Sequence, residues 1–95
     1  MKVFCVSYDL NKPGQKYDGL ISELKESYSW WHYLDSTWLI KTNESAGALS
    51  TRLQKHLDDN DNLLIIRVTK DYAGWLPKKA WDWIKNNVIE CATYC

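Results

Sequence analysis

The sequence predicts a small α+β domain in which a four-stranded antiparallel sheet carries helices between its strands. Three observations lead there. Ninety-five residues suffice for one two-layer core and are too few for two domains. Short runs rich in Val, Ile, Tyr and Trp alternate with stretches whose apolar residues recur at helical spacing. Taken in chain order, these segments read strand, helix, strand, strand, helix, strand, helix.

Lys2 to Leu10 reads as the first strand because it is short, rich in Val, Phe, Cys and Tyr, and closed by the turn-forming Asn11-Lys12-Pro13-Gly14. Phe4, Val6 and Tyr8 fall on one face and Val3 and Cys5 on the other, so this strand is expected at the centre of the sheet. Tyr17, Leu20, Ile21, Leu24 and Tyr28 repeat at helical spacing with polar residues between them, which predicts a surface helix over 17–28. The aromatic run "SWWHYLDSTWLIKT" can break only at Leu34-Asp35-Ser36, giving two antiparallel strands over 30–34 and 36–42.

A second helix is expected over 45–57, with Ala46, Leu49, Leu53 and Leu57 on one face and Asn43 or Ser45 as its cap. The run "DDNDN", Asp58 to Asn62, lacks the Gly and terminal Glu of a calcium loop and reads as a solvated turn. Leu63 to Lys70 supplies the fourth strand, and Pro77 marks the start of a third helix carrying Trp81, Ile84 and Val88. This order is the split βαβ arrangement called ferredoxin-like, βαββαβ with one extra C-terminal helix. We place the domain at 1–88 and a tail at 89–95.

Two helices cover one face of such a sheet, so apolar groups on the other face need a cover. Val3, Cys5, Leu63 and Ile65 are expected there. A second copy packed through the sheet face about a two-fold axis is the economical solution, and the third helix folded beneath the sheet is the alternative.

Composition narrows the function. Twelve Lys and Arg balance twelve Asp and Glu, which argues against a protein that lives on phosphate backbones. Six Trp, six Tyr and one Phe are a heavy aromatic load for this length and point to a second buried surface. Trp38, Trp81 and Trp83 fit core or interface positions, and Trp30 and Trp31 must face opposite sides of a strand. An exposed member of that pair suits a protein interface better than base stacking. No apolar run approaches a membrane span and no signal-peptide pattern opens the chain, so a cytoplasmic protein without a membrane partner is expected. Of the three cysteines, Cys5 lies in the first strand and Cys91 and Cys95 in the tail, a spacing that does not suggest zinc.

Two short motifs add a resemblance. Tyr8-Asp9-Leu10 ends the first strand, and Asp35-Ser36-Thr37-Trp38 sets a small hydroxyl residue before an aromatic at the third. With the order of elements over 1–70, these resemble the CRISPR-associated Cas-two family and, more closely, the SinR-like proteins grouped with it and the related virulence-associated D proteins. The resemblance implies a homodimer with the two Asp9 carboxylates near its axis, holding Mg²⁺ for endonuclease cleavage of RNA or DNA. It assigns Asp9 and Tyr8 to catalysis, Asp9 to the metal, and Lys12, Lys16 and Ser36 to binding nucleic acid. A hard oxygen site of that kind polarises a phosphoryl group and lowers the pKa of bound water. The chain departs from the family at Asp35, where many members carry glutamine, and an acid there disfavours phosphate.

Residue chemistry by itself reads Asp9 as a strand-ending turn residue. The competing class is accordingly a non-enzymatic nucleic-acid- or protein-binding module, toxin- or antitoxin-like or a scaffold subunit. His32, Asp35 and Ser36 form a triad only on paper, because neighbours on a strand point to different faces. His56 is expected to answer the dipole at the end of the second helix.

Overall fold

The structure, a computed structural model, describes residues 1–10 and 17–89. Its elements are β1 (Lys2–Asp9), α1 (Asp18–Lys25), β2 (Ser29–His32), β3 (Thr37–Thr42), α2 (Ala46–Gln54), β4 (Asn62–Arg67) and α3 (Lys78–Asn87). Their order is the expected one. The strands form one sheet in the order β2-β3-β1-β4, and every neighbouring pair is antiparallel. Consequently α1 joins two strands with β3 between them, and α2 joins two strands with β1 between them.

Phe4 and Val6 of β1 and Trp38 and Ile40 of β3 meet Leu20 and Leu24 of α1 and Leu49 and Leu53 of α2 in the main core. All eight are almost completely buried. The same face of β4 contributes Leu63 and Ile65. This corrects the expected phase of β4, which grouped those two residues with Val3 and Cys5. The register sets Val6 opposite Ile65 and Cys5 opposite Ile66, and residues opposite one another share a face. Leu63 to Ile66 are all apolar, so their alternation carries no phase and the pairing with β1 decides it.

The opposite face of the sheet is partly covered by α3, the alternative cover, and not by the two helices of the main core. Ile84 and Val88 pack on Val3, and Leu39, Val68, Leu76, Trp81 and Trp83 surround them. Two side-chain hydrogen bonds tie α3 to the sheet: Trp83 Nε1 donates to Ser29 Oγ at 3.1 Å, and Lys41 Nζ donates to Asn87 Oδ1 at 3.2 Å. Pro77 precedes the first helical residue, where its missing N–H costs nothing.

Element limits differ from expectation for local reasons. Helix α1 stops at Lys25 so that the chain can turn into β2, which leaves Tyr28 exposed and off the core. The break between β2 and β3 falls at Tyr33 to Ser36, closed by a bond from Thr37 N to Leu34 O at 3.1 Å. Ser45 caps α2 by accepting from Ala48 N at 3.1 Å. His56 corrects its expected role: its Nε2 lies 3.3 Å from Glu23 Oε1, across to α1 and not on the end of its own helix. The helices approach so closely here that a methyl group on Gly19 would collide with the His56 ring.

Arg52 holds this junction. Its guanidinium donates to Glu44 through Nε and Nη2 at 3.1 and 2.8 Å, to the Glu23 carbonyl at 2.7 Å, to Glu23 Oε2 at 3.1 Å and to Ser27 Oγ at 3.1 Å. Such bidentate, charge-assisted bonds are the strong class. The bonds from Arg52, with His56 second at Glu23, hold both carboxyls below their ordinary value of 4.5. Stability from a lowered carboxylate is present in full above that value and is lost as pH falls through the lowered one. Replacing Arg52 by Met is therefore expected to lower stability at pH 7, read as a lower urea midpoint. Urea titrations at pH 7 and pH 3 should also show a smaller loss on acidification in R52M than in the wild type.

Candidate functional site

Two places on the fold hold the residues that sequence singled out or should have. The first is the end of β1. Asp9 is exposed there, opposite Asn62 of β4, above an open depression that Ser7, Tyr8, Leu63 and Leu64 also line. Tyr8 is committed elsewhere: its phenol oxygen accepts from the indole Nε1 of buried Trp38 at 3.1 Å, which satisfies a donor inside the core. The Tyr8 amide donates to the Ser36 carbonyl at 3.1 Å, so the β2–β3 turn and the end of β1 are joined through the main chain. Tyr8 and Ser36 are thus neighbours, but as structural partners. Lys12 and Lys16 lie outside the described residues.

Asp9 supplies one hard oxygen donor, and among the described residues no three His, Cys, Asp or Glu side chains converge on a common point. Mg²⁺ takes near-octahedral oxygen coordination and is ordinarily held by one or two carboxylates, with waters and substrate phosphates as its other ligands, and Asp9 supplies one such carboxylate. His32 does not serve a nucleophile: its ring stacks on Trp38 at 3.9 Å and its Nε2 lies 2.9 Å from the main-chain oxygen of Asp35.

The second place is a cleft under the sheet, between its α3-covered face and the segment that leads into α3. It encloses about 250 Å³. Cys5, Trp31 and Leu39 form its roof, Tyr33, Leu34 and Thr37 one rim, Val68, Tyr72, Ala73 and Leu76 the other, and Trp81 and Ile84 its floor. The Tyr72 and Trp81 rings stack with centroids 5.9 Å apart. Tyr33, Leu34 and Tyr72 of this lining are exposed, and Trp75, wholly in solvent, lines a separate open depression with Gly74, Leu76 and Trp81. Burial raises the pKa of the Cys5 thiol, which favours its neutral form in the roof of the cleft.

Sequence reading missed this cleft. Cys5 and Trp81 were legible as buried, but "YAGWL", Tyr72 to Leu76, has no periodicity and passes for a plain connection. Three aromatic or large apolar residues in five, outside any strand or helix, were the signal available.

The chain matches no family model, no curated protein and no solved structure. Its likeness to the Cas-two family therefore rests on the order of elements and the two short motifs.

Because Cys5 is half-buried and neutral, its alkylation by iodoacetamide at pH 8, followed by peptide mass mapping, should be at least about tenfold slower than in the urea-unfolded chain. The rate should keep rising with pH beyond the ordinary thiol value of 9.0. Equal rates in folded and unfolded protein would remove Cys5 from the roof of the cleft.

Proposed function

We propose that the chain is a non-enzymatic protein-binding module on a ferredoxin-like frame, and that its binding surface is the cleft under the sheet. The strand order, with each of the first two helices bracketing a third strand, supports the frame. One observation carries the function: an apolar cleft of about 250 Å³ among whose lining residues Tyr33, Leu34 and Tyr72 are exposed to solvent. Contiguous exposed apolar and aromatic surface around a concavity is the anatomy of an anchor pocket, where one large side chain of a partner is desolvated and its neighbours exclude water. The balanced charge favours a protein partner over a nucleic acid.

The test uses a dye as a stand-in for the apolar anchor. Anilinonaphthalene sulfonate should bind the native protein saturably with one site per chain. Ala73→Trp, a change at an exposed position on the rim, should fill the cleft and weaken that binding by about tenfold or more while leaving the melting temperature near that of the wild type. Unsaturable binding, or equal binding by both proteins, overturns the assignment of the cleft.

Asp9 supports a second reading, a homodimeric Cas-two-like endonuclease dependent on Mg²⁺, because its carboxylate is exposed at the end of a central strand. Two chains would bring their Asp9 side chains together at the metal site. On that reading Asp9→Asn keeps the fold and abolishes cleavage of single- or double-stranded RNA and DNA assayed with Mg²⁺ or Mn²⁺ at low salt. Absence of cleavage by the wild type across those substrates rejects it.

A further inference from the structure

We infer that the partner is a polypeptide segment that seats an uncharged, apolar side chain in the cleft under the sheet and lays a main-chain carbonyl against the indole N–H of Trp31. The inference rests on the cleft being the binding surface and deepens that reading by naming what the partner presents.

Two indole N–H groups packed against the sheet are satisfied: Trp38 Nε1 donates to the Tyr8 phenol oxygen and Trp83 Nε1 to Ser29 Oγ, both at 3.1 Å. Trp31 is the exception. Its Nε1 is buried and has no hydrogen-bond partner among the described residues. Ser29, two residues back and therefore on the same face of β2, already serves Trp83. Buried donors are paired in the great majority of cases, and one left without an acceptor has lost its bonds to water and gained none. An acceptor brought to Trp31 Nε1 forms its bond without displacing water from the donor, so it contributes more here than at an exposed indole.

The same ring lines the cleft, so an occupant that packs on it carries its own polar atoms to the edge of the indole. None of the residues lining the cleft is Asp, Glu, Lys, Arg or His, and a charged occupant would lose its hydration with no ion pair to replace it. The acceptor must therefore be neutral. A main-chain carbonyl is the neutral acceptor that every polypeptide carries. The volume of about 250 Å³ falls below the roughly 300–1,000 Å³ of pockets for drug-sized ligands and suits one large side chain with the short stretch of main chain that bears it. Exposed Tyr33, Leu34 and Tyr72 extend the contact beyond that anchor.

The test is an NMR titration of the full, isotope-labelled chain with three probes. Toluene is a phenylalanine side chain alone, N-acetylphenylalanine methylamide adds neutral main-chain carbonyls, and N-acetylphenylalanine ends in a carboxylate. Of the six tryptophan indole signals, Trp31→Phe removes one, which identifies it. If that variant does not fold, nuclear Overhauser contacts from the ring to Leu39, opposite Trp31 on β3, make the assignment in the wild type. The methylamide should move the Trp31 indole proton downfield, as a new hydrogen bond does, and toluene should not. Relative to toluene, the methylamide should lose about fivefold or more in affinity on Trp31→Phe. The free acid should bind the wild type at least about tenfold more weakly than the methylamide. A Trp31 signal that the methylamide leaves in place overturns the inference, as does a variant that weakens both probes alike or equal binding of acid and amide. Dye binding reports separately on the cleft. Saturable dye binding that Ala73→Trp weakens, with the Trp31 signal unmoved, leaves the cleft standing and rejects only the partner chemistry, whereas loss of both rejects the two together.

Discussion

Burial of β1 on both faces is the constraint on which the rest of the structure depends. Val3 faces one side and Phe4 and Val6 the other, and all three are almost wholly out of water. A strand of this kind must lie inside a sheet and must have cover above and below it. β3 and β4 flank it, α1 and α2 cover Phe4 and Val6, and α3 covers Val3. The third helix is thus part of the fold's solution and not an appendage, because without it Val3 and Leu39 would face solvent.

The two sides are not sealed equally. The main core is closed by four helical leucines and tied at its margins by polar contacts, with Arg52 joining α1, α2 and the turn after β3, and Tyr8 satisfying the buried indole of Trp38. On the other side one ten-residue helix has to cover a four-stranded face. It seals the end around Val3, and where its cover runs out the cleft opens beside Cys5 and Trp31. Leu64 and Ile66 remain outside its reach at the sheet's edge. Cleft and exposed edge have one origin: more apolar sheet face than a single helix can bury. Surface left over in this way is free to receive partners.

The exposure of Asp9 is accounted for by the same geometry. β1 ends where the sheet ends, so the first polar residue after its double-faced run emerges into solvent at Asp9. Tyr8, one residue earlier, still points into the main core and is engaged by Trp38. The Tyr-Asp pair that drew the comparison with the Cas-two family therefore joins a core residue to an exposed carboxylate.

By itself the sequence determined the number and order of the elements, the central place of β1, a cap for the second helix at Asn43 or Ser45, the start of the third at Pro77, and the apolar faces of the three helices. Each of these is local, written in side-chain period, turn chemistry or the fixed φ of proline. The opposite facing of Trp30 and Trp31 was legible for the same reason. Only the tertiary structure decided which face of β4 is buried, that α3 lies beneath the sheet, that His56 meets Glu23, and that Cys5, Trp31, Tyr72 and Trp81 surround one cleft. In β4 four apolar residues in a row erase the alternation that would reveal a phase, and pairing with β1 supplies it. The cleft gathers residues from five separate stretches of chain, and no pattern within one stretch encodes how far another will approach it.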